Sequence, residues 1–93
     1  MLVLPTELTQ TQATACLRML VQGLRSASGQ GGDDLVVVDA TALSRFDSAA
    51  LAVLLELRRE ALSLGKRFAV RGLPTQLGNL AALYGVAELL PPA

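Results

Sequence analysis

The chain has no histidine and no tryptophan, and only one cysteine, one tyrosine and two phenylalanines in 93 residues. Each shortage closes off a class of chemistry. Without histidine there is no imidazole base and no Ser–His or Cys–His nucleophile pair. The lone Cys16 completes neither a zinc site nor an internal disulfide, and an unpaired thiol fits a reducing compartment. Charge of either sign is scarce. Eight basic residues against eight acidic ones leave a formal net charge of zero, and the basic ones cluster only at Arg58-Arg59 and Lys66-Arg67. Nucleic-acid binding needs a basic stripe, and none is written here. Long apolar runs are missing too: the longest, Ala49 to Leu55, falls far below the ~20 residues that span a bilayer. The first basic residue is Arg18, so Met1-Leu2-Val3-Leu4 lacks the charged start of a secretory signal. The expectation is a soluble, cytoplasmic protein that is not an enzyme, with no catalytic residues, no cofactor and no metal.

What is present is organised around residues 34–72. Leu35-Val36-Val37-Val38 is a continuous β-rich apolar run, the pattern of a strand covered on both faces, and Asp39 ends it. Thr41 to Arg45 make a short polar loop. A helix is expected from about Ser48 to Leu64, with Gly65 as its C′ residue. Arg67 to Arg71 resume a strand pattern that puts Phe68 and Val70 on one face. Strand, helix and strand in one sheet mean parallel pairing and a right-handed crossover. Asp47-Ser48 therefore falls where the C-terminal end of a strand meets a helix N-terminus, the edge on which α/β sheets place their working groups.

Upstream, Leu2-Val3-Leu4 is a short strand ended by Pro5, and Thr9 with Gln12 has the spacing of a capping box. Ala13, Cys16, Leu17, Leu20 and Leu24 then recur at helical spacing to about Ser26, which makes Cys16 a small buried hydrophobe. Ser26 to Asp33 is a glycine-rich loop. It precedes a strand and lacks a following Lys-Ser/Thr, so it is not a phosphate-binding loop. Downstream, Pro74 opens a helix with Leu77, Leu80, Ala81 and Tyr84 on one face and Gly85 at its end. Val86 to Leu90 is an apolar closing segment stopped by Pro91-Pro92. With no repeat or boundary visible, residues 1–93 read as one domain.

The central helix buries Ala50, Val53, Leu54, Leu57, Ala61 and Leu64 on its sheet side. Leu51, Leu55 and Leu62 widen its apolar arc to about 200°, where one sheet needs only ~100°. These extra leucines either pack on a neighbouring helix of the same chain or form a seam for a partner. At the mouth of that helix, Asp47 and Ser48 are both strong N-cap residues. One reading is a plain cap; the other makes Ser48 a regulatory or docking hydroxyl, since phosphate is favoured at a helix N-terminus. Asp39 is expected to bond loop amides. Arg45 is a solvated arginine, or else pairs with Asp47 or with an acidic group on a partner.

Val38-Asp39-Ala40-Thr41-Ala42-Leu43, followed by Phe46-Asp47-Ser48-Ala49-Ala50-Leu51-Ala52-Val53-Leu54, resembles the signature of STAS domains. These occur as anti-sigma factor antagonists, as sulfate-transporter tails and as the small subunit of the Mla phospholipid-transport complex. Gly72-Leu73-Pro74 with Leu77, Leu80, Leu83-Tyr84-Gly85-Val86 and Leu89-Leu90 is similar to the tail of the MlaB-like branch, and Leu4-Pro5-Thr6-Glu7-Leu8-Thr9 looks like the family's entry to its first helix. The match covers nearly the whole chain. It implies an α/β fold with a mixed sheet of about four strands against three to four helices, and an abbreviated N-terminal strand that leaves a sheet edge exposed. It also places Ser48 on the position phosphorylated in the antagonists, which in MlaB-like subunits belongs to the surface that docks on the ATPase. Ala50 departs from the glycine common in the family. The implied function is a non-catalytic accessory subunit of an ABC transporter for phospholipid transport. Its partner would be the ATPase, met through Arg45, Asp47, Ser48, Leu51 and Leu55, and it would sit peripheral to the inner membrane through that complex. The alternative is an antagonist that binds an anti-sigma factor kinase until Ser48 is phosphorylated.

Overall fold

The computed structural model describes residues 2–28 and 34–93. In chain order the elements are β1 (Leu2–Val3), β2 (Glu7–Leu8), α1 (Gln10–Ser28), β3 (Leu35–Asp39), β4 (Arg45–Phe46), α2 (Ser48–Ser63), β5 (Arg67–Arg71) and α3 (Thr75–Leu83), then a 3₁₀ turn at Ala87–Leu89. β3 and β5 pair in parallel from Leu35 beside Arg67 to Asp39 beside Arg71, as the strand–helix–strand reading requires. β1 lies parallel on the other side of β3, with Leu2 beside Val38. Past β5 the tail adds a parallel bridge: the Val70 amide donates to Pro91 O at 2.8 Å, and Ala93 N donates to Val70 O at 3.0 Å.

The α/β class holds, but the pairing differs from the expected single mixed sheet. Every pairing between the described strands is parallel, and they divide into a three-stranded sheet, β1-β3-β5, and a two-stranded ladder, β2-β4. Two-residue strands are too short to show a period-two pattern, so Glu7–Leu8 and Arg45–Phe46 are illegible as strands.

Strand order sets the layers. From β1 to β3 to β5 to the tail, the chain always steps in the same direction. Right-handed crossovers then place every connecting helix on the same face. Accordingly α1 packs beside α2 and α2 beside α3. Val36, Val38, Phe68 and Val70 point into that helical layer, where they meet Leu20, Leu24, Leu54, Leu57, Ala61, Leu77 and Ala81 in one core. On β3 the alternate residues Leu35 and Val37 stay half-exposed, which corrects the expected two-sided coverage. Four apolar residues in a row look the same whether one face or both are covered.

The helix ends follow local chemistry. Gln12 Oε1 accepts from the Thr9 amide at 2.8 Å and from the Thr9 hydroxyl at 2.6 Å, closing the capping box from the glutamine side. α1 runs to Ser28, two residues beyond its expected end, and residues 29–33 of the expected loop lie outside the described residues. Cys16 is buried on the α1 stripe, and desolvation pushes its thiol above the usual range. Gly65 and Gly85 both take φ of +73°, the left-handed C′ geometry expected after α2 and α3. On α3, Leu77 and Ala81 are buried and Leu80 half-buried. Tyr84 is not on the buried face: it is the C-cap, where the chain leaves the helix, and its ring is exposed.

The surplus leucines of α2 resolve by helical geometry. Ala49, Val53 and Glu56 line a groove shared with α1, and Glu60 pairs with Arg25 of α1 at 3.0 Å. At ~100° per residue, Leu51, Leu55 and Leu62 turn the opposite way, toward α3. Leu51 is 3% exposed and belongs to the core, and Leu55 is half-buried against it. α3 has 9 residues against 16 in α2, too short to reach the last turn, so Leu62 remains 48% exposed.

Candidate functional site

The edge formed by the C-terminal ends of the strands is built from three backbone locks. At the end of β3, Asp39 Oδ1 accepts from the Thr41 amide at 2.9 Å and also from the Thr41 hydroxyl, as expected for a carboxylate bonding loop amides. Ala40 N donates to Arg71 O at 2.8 Å, which ties this loop to the end of β5. The Thr41 hydroxyl first, then the Thr41 amide, then nearby Arg71 hold the Asp39 carboxyl below the usual range. A depressed carboxyl favours the native state above the unfolded value of about 3.9, and that contribution is lost as pH falls through the lower native value. Asp39→Asn is thus expected to flatten the acid limb of the stability–pH curve below about pH 4, checked by urea melts across that range. An unchanged acid limb would remove Asp39 from the account.

The second lock is the β2–β4 ladder. Thr6 O accepts from Ser44 N at 2.9 Å and Arg45 N at 3.0 Å, so the strands leading into α1 and α2 run side by side. The two helices consequently start next to each other.

The third lock follows from the second. Asp47 is the N-cap of α2: its Oδ1 accepts from Ala49 N at 2.8 Å, and its Oδ2 accepts from Gln10 N at 3.1 Å, at the first turn of α1. One carboxylate caps two helices. With Asp47 taking the cap, Ser48 stands at the first helical position, exposed, and its hydroxyl has no hydrogen bond to the described residues. Two helix N-termini lie beside it, and the Asp47 carboxylate that caps both offsets their partial positive charge.

The five sequence-derived residues separate here. Arg45 and Ser48 are exposed on this edge, and Leu55 is partly open two turns down α2. Asp47 is exposed but has both oxygens committed to amides. Leu51 is corrected from surface to core, because α2 turns it toward α3. Arg45 makes no ion pair with Asp47; the ion pairs among the described residues join Arg25 to Glu60, Arg59 to Glu56 and Arg67 to Asp34. Sequence reasoning missed Gly72, whose φ of +65° folds it over Thr41. The one signal for it was a glycine directly after a strand.

Among the described residues no group of three or more His, Cys, Asp or Glu side chains gathers as a metal site, and no helix is long and apolar enough to cross a membrane. A comparison with curated proteins finds none that matches. A family model described as "Mlab, STAS domain" matches residues 1–91. The chain belongs to that family: it is an MlaB-like STAS domain, a protein-interaction module with an accessory or regulatory role.

Proposed function

We propose that this MlaB-like STAS domain is a non-catalytic accessory subunit that binds the cytoplasmic ATPase of an ABC transporter for intermembrane phospholipid transport. The carrying observation is Ser48, an exposed hydroxyl with no hydrogen bond to the described residues, set beside a carboxylate that ties two helix starts together. Its backbone is held in place before binding, which is what a docking surface gains from preorganisation. Arg45 beside it offers a charged rim contact, and the open part of Leu55 an apolar one. Buried Leu51 supports that surface from beneath. In this reading the subunit is cytoplasmic and reaches the inner membrane only through its partner.

The test is co-purification with the ATPase subunit and the ATPase rate of the complex. Ser48→Asp and Leu55→Arg are each expected to weaken the complex roughly tenfold or more, the loss typical of a central contact. If both variants fold normally and leave complex and rate untouched, the surface is wrong. Incubation with a cognate anti-sigma factor kinase and ATP, read by mass spectrometry, separates the other reading. Phosphate on Ser48 together with no ATPase binding would make the protein a partner-switching antagonist.

A further inference from the structure

We propose that the sheet face turned away from the helices is a self-association surface, covered by a second copy of this chain about a two-fold axis parallel to the strands. Parallel sheets are almost always covered on both faces. Here the one-directional strand order puts α1, α2 and α3 on the same side. The register makes Val3, Leu35, Val37 and Ala69 neighbours on the other side, none of them part of the helical core. Val3 is 57% exposed and Leu35 and Val37 are half-exposed, while the small Ala69 between them and the tail is buried.

The charges on this face choose the occupant. Asp39 ends β3 and Arg71, in register with it, ends β5; at the other end Arg67 is in register with Leu35 and pairs with Asp34 of its own chain. The apolar residues lie between the two ends. A two-fold axis running between β3 and β5 stacks each β3 on the partner's β5. Asp39 then faces the second copy's Arg71, Leu35 faces its Arg67, and Val37 faces its Ala69. An axis across the strands would instead stack β3 on β3 and β5 on β5 in opposite directions, setting Arg71 on the second copy's Arg67 and leaving Asp39 over Leu35. The face is therefore self-complementary in one orientation only, which favours a second copy over an unrelated protein.

Two five-residue strands about 16 Å long and the two-residue β1, at ~4.8 Å spacing, give a footprint of a few hundred Å² at most, well under the ~800 Å² per partner of a standard interface. Association is accordingly reversible and grows with concentration. Sedimentation equilibrium from about 10 µM to about 1 mM is expected to show the average mass rising from 9.7 kDa toward twice that value. Raising salt lowers the association, because the charge pairs are exposed. Val37→Glu stays monomeric at every concentration, with circular dichroism and Tm close to the parent. Should that variant fold poorly, Arg71→Glu on the exposed end of β5 is the second: it sets acid against the second copy's Asp39 and also abolishes the mass increase. Monomer throughout the range for the parent chain overturns the proposal, as does a dimer indifferent to both variants. Loss of ATPase binding in Val37→Glu without any self-association in the parent would assign the face to a different protein and also overturn it. Ser48→Asp and Leu55→Arg self-associate normally, so this proposal and the ATPase reading fail separately.

Discussion

Gly72→Ala is expected to lower stability by about 2–4 kcal/mol, the sum of a left-handed backbone and a steric overlap. The φ of +65° is a conformation that a residue with a Cβ adopts only at a cost of about 1–2 kcal/mol. The added methyl would also drive into Thr41, overlapping its Oγ1 and lying 3.1 Å from its Cα and 3.2 Å from its Cβ. Thr41 cannot step aside cheaply, because its amide and hydroxyl are both bonded to Asp39 and the preceding Ala40 amide is bonded to Arg71 O. Gly65 supplies the control. Its φ is +73°, yet a Cβ there meets nothing within 4 Å, so Gly65→Ala costs only the backbone part. In a domain of this size each kcal/mol moves Tm by about 4–8 °C, so Gly72→Ala should melt roughly 10–25 °C below the parent and Gly65→Ala much closer to it. Equal shifts in the two variants would mean that the loop yields and the overlap is relieved.

Asp47→Ala is expected to cost about 2 kcal/mol or more, against no more than about 0.5 kcal/mol for Ser48→Ala beside it. A single N-cap deletion removes about 1 kcal/mol. Here two amides lose their acceptor, Ala49 N of α2 and Gln10 N of α1. The site is exposed, so water re-satisfies both amides and keeps the loss well below that of a buried pair. Asp47→Asn should fall between, since its side-chain carbonyl serves one amide well and the other poorly. Hydrogen exchange gives the sharper readout: in Asp47→Ala the first amides of both helices exchange faster, although Gln10 lies 37 positions from Asp47 in the chain. Acceleration confined to α2 would show that the link to α1 carries no energy.

The sequence made some of this legible and hid the rest for physical reasons. The long elements were readable, because Leu35–Asp39 opens on an unbroken apolar run, Ser48–Ser63 and Arg67–Arg71 are periodic, and residues with a specific role bound them: Asp39, Asp47, Gly65. The short ones were not. Glu7–Leu8 and Arg45–Phe46 exist only because they hold each other, and a mutual dependence between positions 38 apart leaves no local trace. The same ladder brings Gln10 to Asp47, so half of that residue's work was invisible, while its role as a cap was legible from its type and place. For Ser48, residue type left cap and free hydroxyl open, and the neighbouring carboxylate decides between them. Leu51 and Leu55 look alike on a helical wheel. Which of them a short α3 covers depends on how far it reaches along α2, a tertiary distance that no wheel contains.

The tail beside β5 has a consequence for how this protein avoids sticking to itself edgewise. Where Val70 bridges the tail, the backbone nitrogen that points outward belongs to Pro92 and carries no hydrogen. A stray strand approaching that margin finds no donor there, and Pro91 just before it offers none either. Lateral pairing into fibrils is blunted along this flank.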